Sequence, residues 1–338
     1  MLEPSISIDG VVSKGENQTK ELTKKQLTLI KNAGISYIDC SIEYGSIAYT
    51  DKCDRWIKEF GEACLETEIE VFQTHTQCYR TMRLTDRTLS WDVSETEDKY
   101  LDICLRSTAE WGGKYTVLHP FAPFNGWCDD CYNECVEMNV DFFKKLLEKA
   151  YKYDVTLCIE TMAYFGKSYA YCAKPAQLLE LKEKINDEKI KFCVDTGHVH
   201  FAGEDVAETI ELLGKDLAVL HLQDNSGLND DHNLLPFGKI DWNQVAKALN
   251  KVEYQGTLNF EVQGGRLRLL DEQAQSAYLT FTREMAEYLK RLIEKGIAKK
   301  VTFGSADCHI VDVVKETEYM VKRLKEEPTL FMHEYNKK

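Results

Sequence analysis

Apolar and polar positions along the chain follow two alternating periods. Short runs of apolar and β-branched residues recur eight times, and each is followed by a longer stretch whose apolar positions return every three or four residues. The short runs predict strands at Ser5–Ile8, Tyr37–Cys40, Ile69–Thr74, Tyr115–Leu118, Thr156–Glu160, Lys191–Asp195, Ala218–Leu222 and Thr257–Val262. The stretches between them predict helices, among them Lys20–Asn32, Glu97–Trp111, Asp141–Lys152, Pro175–Lys184 and Val245–Lys251, the last with Asp241 as its cap. Strand-then-helix repetition is the pattern of parallel βαβ units, and eight such units close a barrel more naturally than they extend an open sheet. The expected fold class is α/β, a (β/α)8 TIM barrel with a C-terminal helical extension. A long helix over Glu272 to Lys295 follows the eighth strand. Beyond it, Val301–Phe303 and an amphipathic stretch to Glu327 exceed what a minimal barrel needs. No linker rich in Gly, Ser or Pro divides the chain, so residues 1–296 read as the barrel and 297–338 as an extension that packs on the barrel or on a partner.

Composition narrows the partners. Against 42 Lys and Arg stand 56 Asp and Glu, a formal net charge of −14, which opposes binding to a phosphate backbone. Nucleic acid is not expected as a partner. No run of about 18 apolar residues occurs, and Met1 to Gly10 lack a charged segment followed by an apolar one. A soluble, cytoplasmic protein without a membrane partner is expected. The 12 cysteines are scattered through strand and helix patterns, as at Cys40, Cys53, Cys64, Cys104, Cys158 and Cys193, which fits reduced, buried thiols. Cys128, Cys131 and Cys135 cluster, but a fourth ligand at a standard spacing is missing, so no metal is expected there.

The chemistry lies at the strand ends. His75 follows the third predicted strand, His119 the fourth, Glu160 ends the fifth, and Asp195 and His198 the sixth. His221 lies on the seventh, Asp230 and His232 in the loop after it, and Glu261 on the eighth. In a parallel barrel the C-terminal strand ends form one bowl, so these nine side chains, far apart in sequence, are expected to converge. Mixed imidazole and carboxylate sets supply nitrogen and oxygen ligands for a divalent ion, Mn, Zn, Co or Mg, and are usual at catalytic sites.

The segments Cys158-Ile-Glu160-Thr, Cys193-Val-Asp195-Thr-Gly-His198, Leu220-His221-Leu-Gln-Asp224-Asn, Asp230-Asp-His232 and Leu258-Asn-Phe-Glu261-Val together resemble the xylose isomerase-like barrel superfamily. That group includes ketose 3-epimerases, inosose dehydratases, sugar phosphate isomerases and type IV apurinic endonucleases, and the resemblance runs from about Ile6 to Arg291. By this resemblance, Glu160, Asp195, His221 and Glu261 hold one ion, Mn in most epimerase-like members, and His198 contacts substrate. In the endonucleases all nine matched positions hold three zinc ions. One departure is Gly227, which stands where some ketose epimerases carry a substrate-binding Arg, six residues after the seventh-strand His.

The expected function is a divalent-metal-dependent enzyme acting on a sugar or keto-sugar by proton abstraction beside a carbonyl, of isomerase or epimerase type. Glu160, Glu261, His119 and His198 are the candidate proton carriers. His75, His232, Arg266 and Trp127 are candidate substrate contacts, Trp127 from an aromatic loop after the fourth strand and Arg266 from Gly264-Gly265-Arg266 after the eighth. Two alternatives stay open. One is the α subunit of a C-glycoside deglycosidase, a lyase that cleaves the C–C bond of 3-keto C-glycosides together with a small partner subunit. The other is an apurinic endonuclease, disfavoured by the net charge. A sugar or glycoside is the expected small-molecule partner, and a homo-oligomer or a hetero-oligomer the expected assembly.

Overall fold

The computed structural model describes residues 1–12, 18–42, 52–76, 81–85, 88–90, 95–123, 132–165, 168–262, 267 and 269–295. Trp127, Arg266, Cys128, Cys131 and the predicted strand Val301–Phe303 lie outside these residues.

Eight parallel strands form one sheet: β1 (Pro4–Ser7), β2 (Tyr37–Ile42), β3 (Glu70–Thr76), β4 (Tyr115–Leu118), β5 (Thr156–Glu160), β6 (Ile190–Asp195), β7 (Leu217–His221) and β8 (Leu258–Phe260). From β1 to β7 each pairs with its sequence neighbours, and β1 also pairs with β8. A parallel bridge between Leu222 and Phe260 joins the remaining edges, with Leu222 N donating to Asn259 O at 2.7 Å and Glu261 N to Leu222 O at 3.1 Å. The expected barrel is therefore what forms.

The helices are α1 (Lys20–Asn32), α2 (Cys53–Thr67), α3 (Glu95–Glu110), α4 (Tyr132–Tyr153), α5 (Pro175–Ile185), α6 (Thr196–Phe201), α7 (Val206–Leu213), α8 (Trp242–Lys251) and α9 (Glu272–Lys295). Local chemistry sets their starts. The Asp241 side chain accepts from Asn243 N at 3.0 Å and Gln244 N at 3.2 Å, and Asp205 accepts from Glu208 N at 2.9 Å, satisfying amides that a helix start leaves orphaned. α4 begins at Tyr132, well before the expected Asp141. Cys135, Val136, Asn139 and Val140 present a buried face one turn apart, and Asn139 Oδ1 accepts from Phe121 N at 2.8 Å. The cysteine-bearing stretch ahead of the expected helix is thus helical because tertiary contacts bury one side of it.

Outward-facing strand residues meet the helices. Phe192 and Leu157 are fully buried, and Thr74 Oγ1 lies 2.7 Å from Thr108 Oγ1 of α3. Inside the barrel, Val117, Cys158, Cys193 and Val219 form one apolar layer. Register matters on the other side. The β2–β3 pairing shifts between Ile38 and Asp39, so that Asp39 stands opposite Gln73 and Ser41 opposite His75; such irregularities re-aim side chains. Among the described residues all eight cysteines are buried, and no helix is long and apolar enough to cross a membrane.

Candidate metal centre

The strand ends deliver their polar side chains to one place because the strands are parallel and closed. β3 runs through His75, β4 stops one residue before His119, and Glu160, Asp195 and His221 are the last residues of β5, β6 and β7. Glu261 follows β8, held by its backbone bond to Leu222. His198 lies in the first turn of α6, whose start is capped by Asp195 Oδ1 accepting from His198 N at 2.7 Å.

Among the described residues five overlapping donor groups have ligand atoms within 4.8 Å of one another, and three of them together use all nine side chains: Glu160, Asp195, His221 and Glu261; His75, His119 and Glu160; and His198, Asp230 and His232. In the first, His221 Nδ1 is 2.9 Å from Glu160 Oε1 and 3.1 Å from Glu261 Oε2. In the second, His119 Nε2 is 2.9 Å and His75 Nε2 3.5 Å from Glu160 Oε2. His75 Nε2, His119 Nε2 and Glu160 Oε2 nevertheless have no hydrogen-bond partner although buried. The lone pairs converge without a proton bond between them, an arrangement that a cation satisfies. In the third, His198 Nδ1 donates to Thr161 O and His232 Nδ1 to Glu261 O, both at 2.9 Å. Both carbonyls can only accept, so each ring is fixed with Nε2 toward Asp230 Oδ2, at 3.3 and 3.1 Å.

The electrostatics agree with this reading of the donor set. Burial opposes charge on Glu160, yet the His221 and His119 imidazoles hold its carboxyl well below the usual range. Burial pushes the Asp195 carboxyl up to about 7, with Asp230, Glu160 and Glu261 nearby and against the pull of His198. Burial alone would lower His232, but Asp230 and Glu261 raise it to about 10. Burial pushes His75 down. Buried carboxylates this close together stabilise positive charge placed among them. The residues present thus fit a divalent ion, on donor type and on the orphaned atoms alike.

Sequence reasoning passed over two interior residues. Asp39, 1% exposed, places Oδ2 at 2.9 Å from His221 Nε2. The same oxygen accepts from Gln73 Nε2 at 3.1 Å and from Ser7 Oγ and Asn259 Nδ2, each at 3.4 Å. Gln223 donates from Nε2 to Asp230 Oδ1 at 2.6 Å and accepts at Oε1 from His232 N at 3.2 Å. The signal was there for Asp39: a carboxylate in mid-strand, between Ile38 and Cys40, where burial is expected. Gln223 carried no such signal, since an amide beside a strand end is unremarkable.

The chain belongs to the xylose isomerase-like TIM barrel family, whose model matches residues 27–291. It is 23% identical over 197 residues to an uncharacterized protein of Methanocaldococcus jannaschii, covering 56% of this chain and 66% of that one. It is 33% identical over 156 residues to a probable endonuclease 4 of Mycoplasmoides gallisepticum, covering 42% of this chain and 48% of the relative. The matches thus span from about half to just under two thirds of these relatives' lengths. The fold is similar to that of a D-tagatose 3-epimerase-like protein, with TM-score 0.68 and 17% identity over 88% of this chain and 100% of that one. It is also similar to an IOLI protein with a binding zinc atom, with TM-score 0.63 and 14% identity over 88% of this chain and 100% of that one.

Proposed function

We propose that this protein is a divalent-metal-dependent enzyme that acts on a sugar or keto-sugar by moving a proton beside a carbonyl, in the manner of an isomerase or epimerase. The observation that carries the proposal is the pair of carboxylates, Glu160 from β5 and Glu261 from beyond β8, brought to one donor group at 2.9 and 3.1 Å from the same His221 nitrogen. Glu160, Asp195, His221 and Glu261 would hold the ion, with Mn first and Zn, Co or Mg as alternatives. When bound, such an ion polarises a carbonyl and stabilises the charge developing on its oxygen.

The residues do the rest. One carboxylate takes the proton from the carbon beside the carbonyl, and the proton returns from the same group or from the other. Return to the opposite face of that carbon inverts it; return to the neighbouring carbon moves the carbonyl. Stationing the two groups on non-adjacent strands lets one approach each face. In this reading His119 and His198 would pass or hold the proton, and the burial of Glu160 and Asp195 would keep water from competing. Solved structures of this fold whose names include sugar 3-epimerases support the substrate class, and the expected cytoplasmic location suits such a role.

The test is deuterium incorporation beside the carbonyl of a ketohexose panel by the ion-loaded protein in D2O, followed by NMR. Exchange that is lost in Glu160→Gln and Glu261→Gln is the expected result. Aglycone release from a 3-keto C-glucoside, only with a small partner subunit, would instead make the chain the α subunit of a deglycosidase.

A second reading rests on the two further donor groups and on the relatives named as probable endonuclease 4: a polynuclear phosphoesterase acting on abasic DNA. The formal charge of −14 weighs against it. Nicking of an abasic duplex at physiological salt, with about three ions bound per chain and no exchange into any ketose, would favour it over the first.

A further inference from the structure

The interior of the barrel below the donor groups holds a polar net that ends on His221. Ser5 Oγ donates to Asn259 Oδ1 at 2.9 Å, which turns the amide so that Nδ2 faces Ser7 Oγ at 3.2 Å and Asp39 Oδ2 at 3.4 Å. Gln73 Nε2 reaches the same Asp39 oxygen at 3.1 Å. With His221 Nε2 at 2.9 Å, four donors surround one carboxylate oxygen, while Asp39 Oδ1 is buried without a hydrogen-bond partner. A carboxylate fixed this way has no freedom to turn away from the imidazole.

The consequence for His221 follows from donor and acceptor counting. An ionised carboxylate only accepts, so the nitrogen facing Asp39, Nε2, carries the proton. In the neutral ring Nδ1 is then a bare lone pair, directed at Glu160 Oε1 and Glu261 Oε2. Three acceptors pointing at one another repel unless positive charge lies between them. We infer that Asp39 is a positioning residue: it fixes the Nε2–H tautomer and ring orientation of His221, so that Nδ1 is the atom offered to an ion. Outer partners of this kind set ligand basicity and geometry. The inference rests on the ion site proposed at Glu160, Asp195, His221 and Glu261, and adds to it a residue that never touches the ion.

The experiment titrates Co(II) and Mn(II) into wild-type protein and Asp39→Asn, following heat and, for Co(II), the visible absorption spectrum. The isosteric amide removes the charge and one obligate acceptor atom while keeping the shape. Expected is affinity weaker by about 10–100-fold, with an altered Co(II) spectrum at saturation and partial recovery in Asp39→Glu. Affinity within about threefold of wild type and an unchanged spectrum would overturn the positioning role and leave the ion site standing. A wild-type chain that binds neither ion would overturn the site itself, and the positioning role with it. Should Asp39→Asn fail to fold, long-range proton–nitrogen NMR of the Zn(II)-loaded wild type decides: a protonated Nε2 and ligated Nδ1 on His221 support the inference, and a ligated Nε2 overturns it.

Discussion

Two walls of one barrel are built from opposite materials. From β4 to β7 the interior is Val117, Cys158, Cys193 and Val219; across β1, β2, β3 and β8 it is Ser5, Ser7, Asp39, Gln73 and Asn259, all buried. The first wall is held by packing, which tolerates any side chains of matching volume. The second is held by hydrogen bonds, which demand particular atoms in particular orientations and penalise any group left unpaired. The difference teaches how the two walls reach the same imidazole: the polar net ends on His221, whereas the apolar wall floors the donor groups and touches them through Cys193, beside Glu160 and His221. Ligands are drawn from both, since Glu160, Asp195 and His221 continue the apolar strands and Glu261 the polar one.

The sharpest break comes at a shared residue. Glu160→Gln should lower divalent-ion affinity by at least about 100-fold, because a neutral amide replaces a carboxylate that belongs to three of the donor groups; titration calorimetry measures it. Wild-type protein should meanwhile melt higher with added ion, by about 2.7 kcal/mol of stability at a hundredfold excess over Kd, and Glu160→Gln should lose that gain.

The apolar wall should respond in the opposite currency. Val117→Ala leaves a cavity of two methyl groups at a fully buried site and should cost about 2 kcal/mol in urea unfolding, with ion affinity within about threefold of wild type. A large loss of ion binding in this variant would show that the two walls are not separable.

Gly197→Ala probes how tightly the bowl is built. Alanine is ordinarily the better helix residue by about 1 kcal/mol, but here its Cβ would lie 2.1 Å from Gln223 Cδ. The overlap should win, a net loss of about 1–2 kcal/mol, and pushing Gln223 aside frees Asp230 from its 2.6 Å hydrogen bond. Thermal melts check the stability and Zn(II) stoichiometry the donor group. The smallest effect is expected from Ser7→Ala, which removes a 3.4 Å bond to Asp39 but leaves three donors there. About 0.5–1.5 kcal/mol of stability should go, with little change in ion affinity.

What the sequence by itself determined is whatever depends on period and parallel direction. Eight β-then-α units specify the barrel, and a parallel barrel sends every C-terminal strand end to the same bowl; the meeting of His75, His119, Glu160, Asp195, His198, His221, Asp230, His232 and Glu261 was therefore legible from spacing alone. Caps such as Asp241 were equally legible, because capping is local. The start of α4 was not, since Cys135 and Asn139 are helical by virtue of what they are buried against. Only the tertiary structure decided that Asp39 faces Gln73 and Asn259 on its own wall and, across the barrel, His221. Those partners lie 34, 182 and 220 residues away, and the register shift at Ile38 and Asp39 sets which side chain turns inward. A period-two pattern cannot reveal such a shift, because one displaced residue exchanges the two faces of a strand.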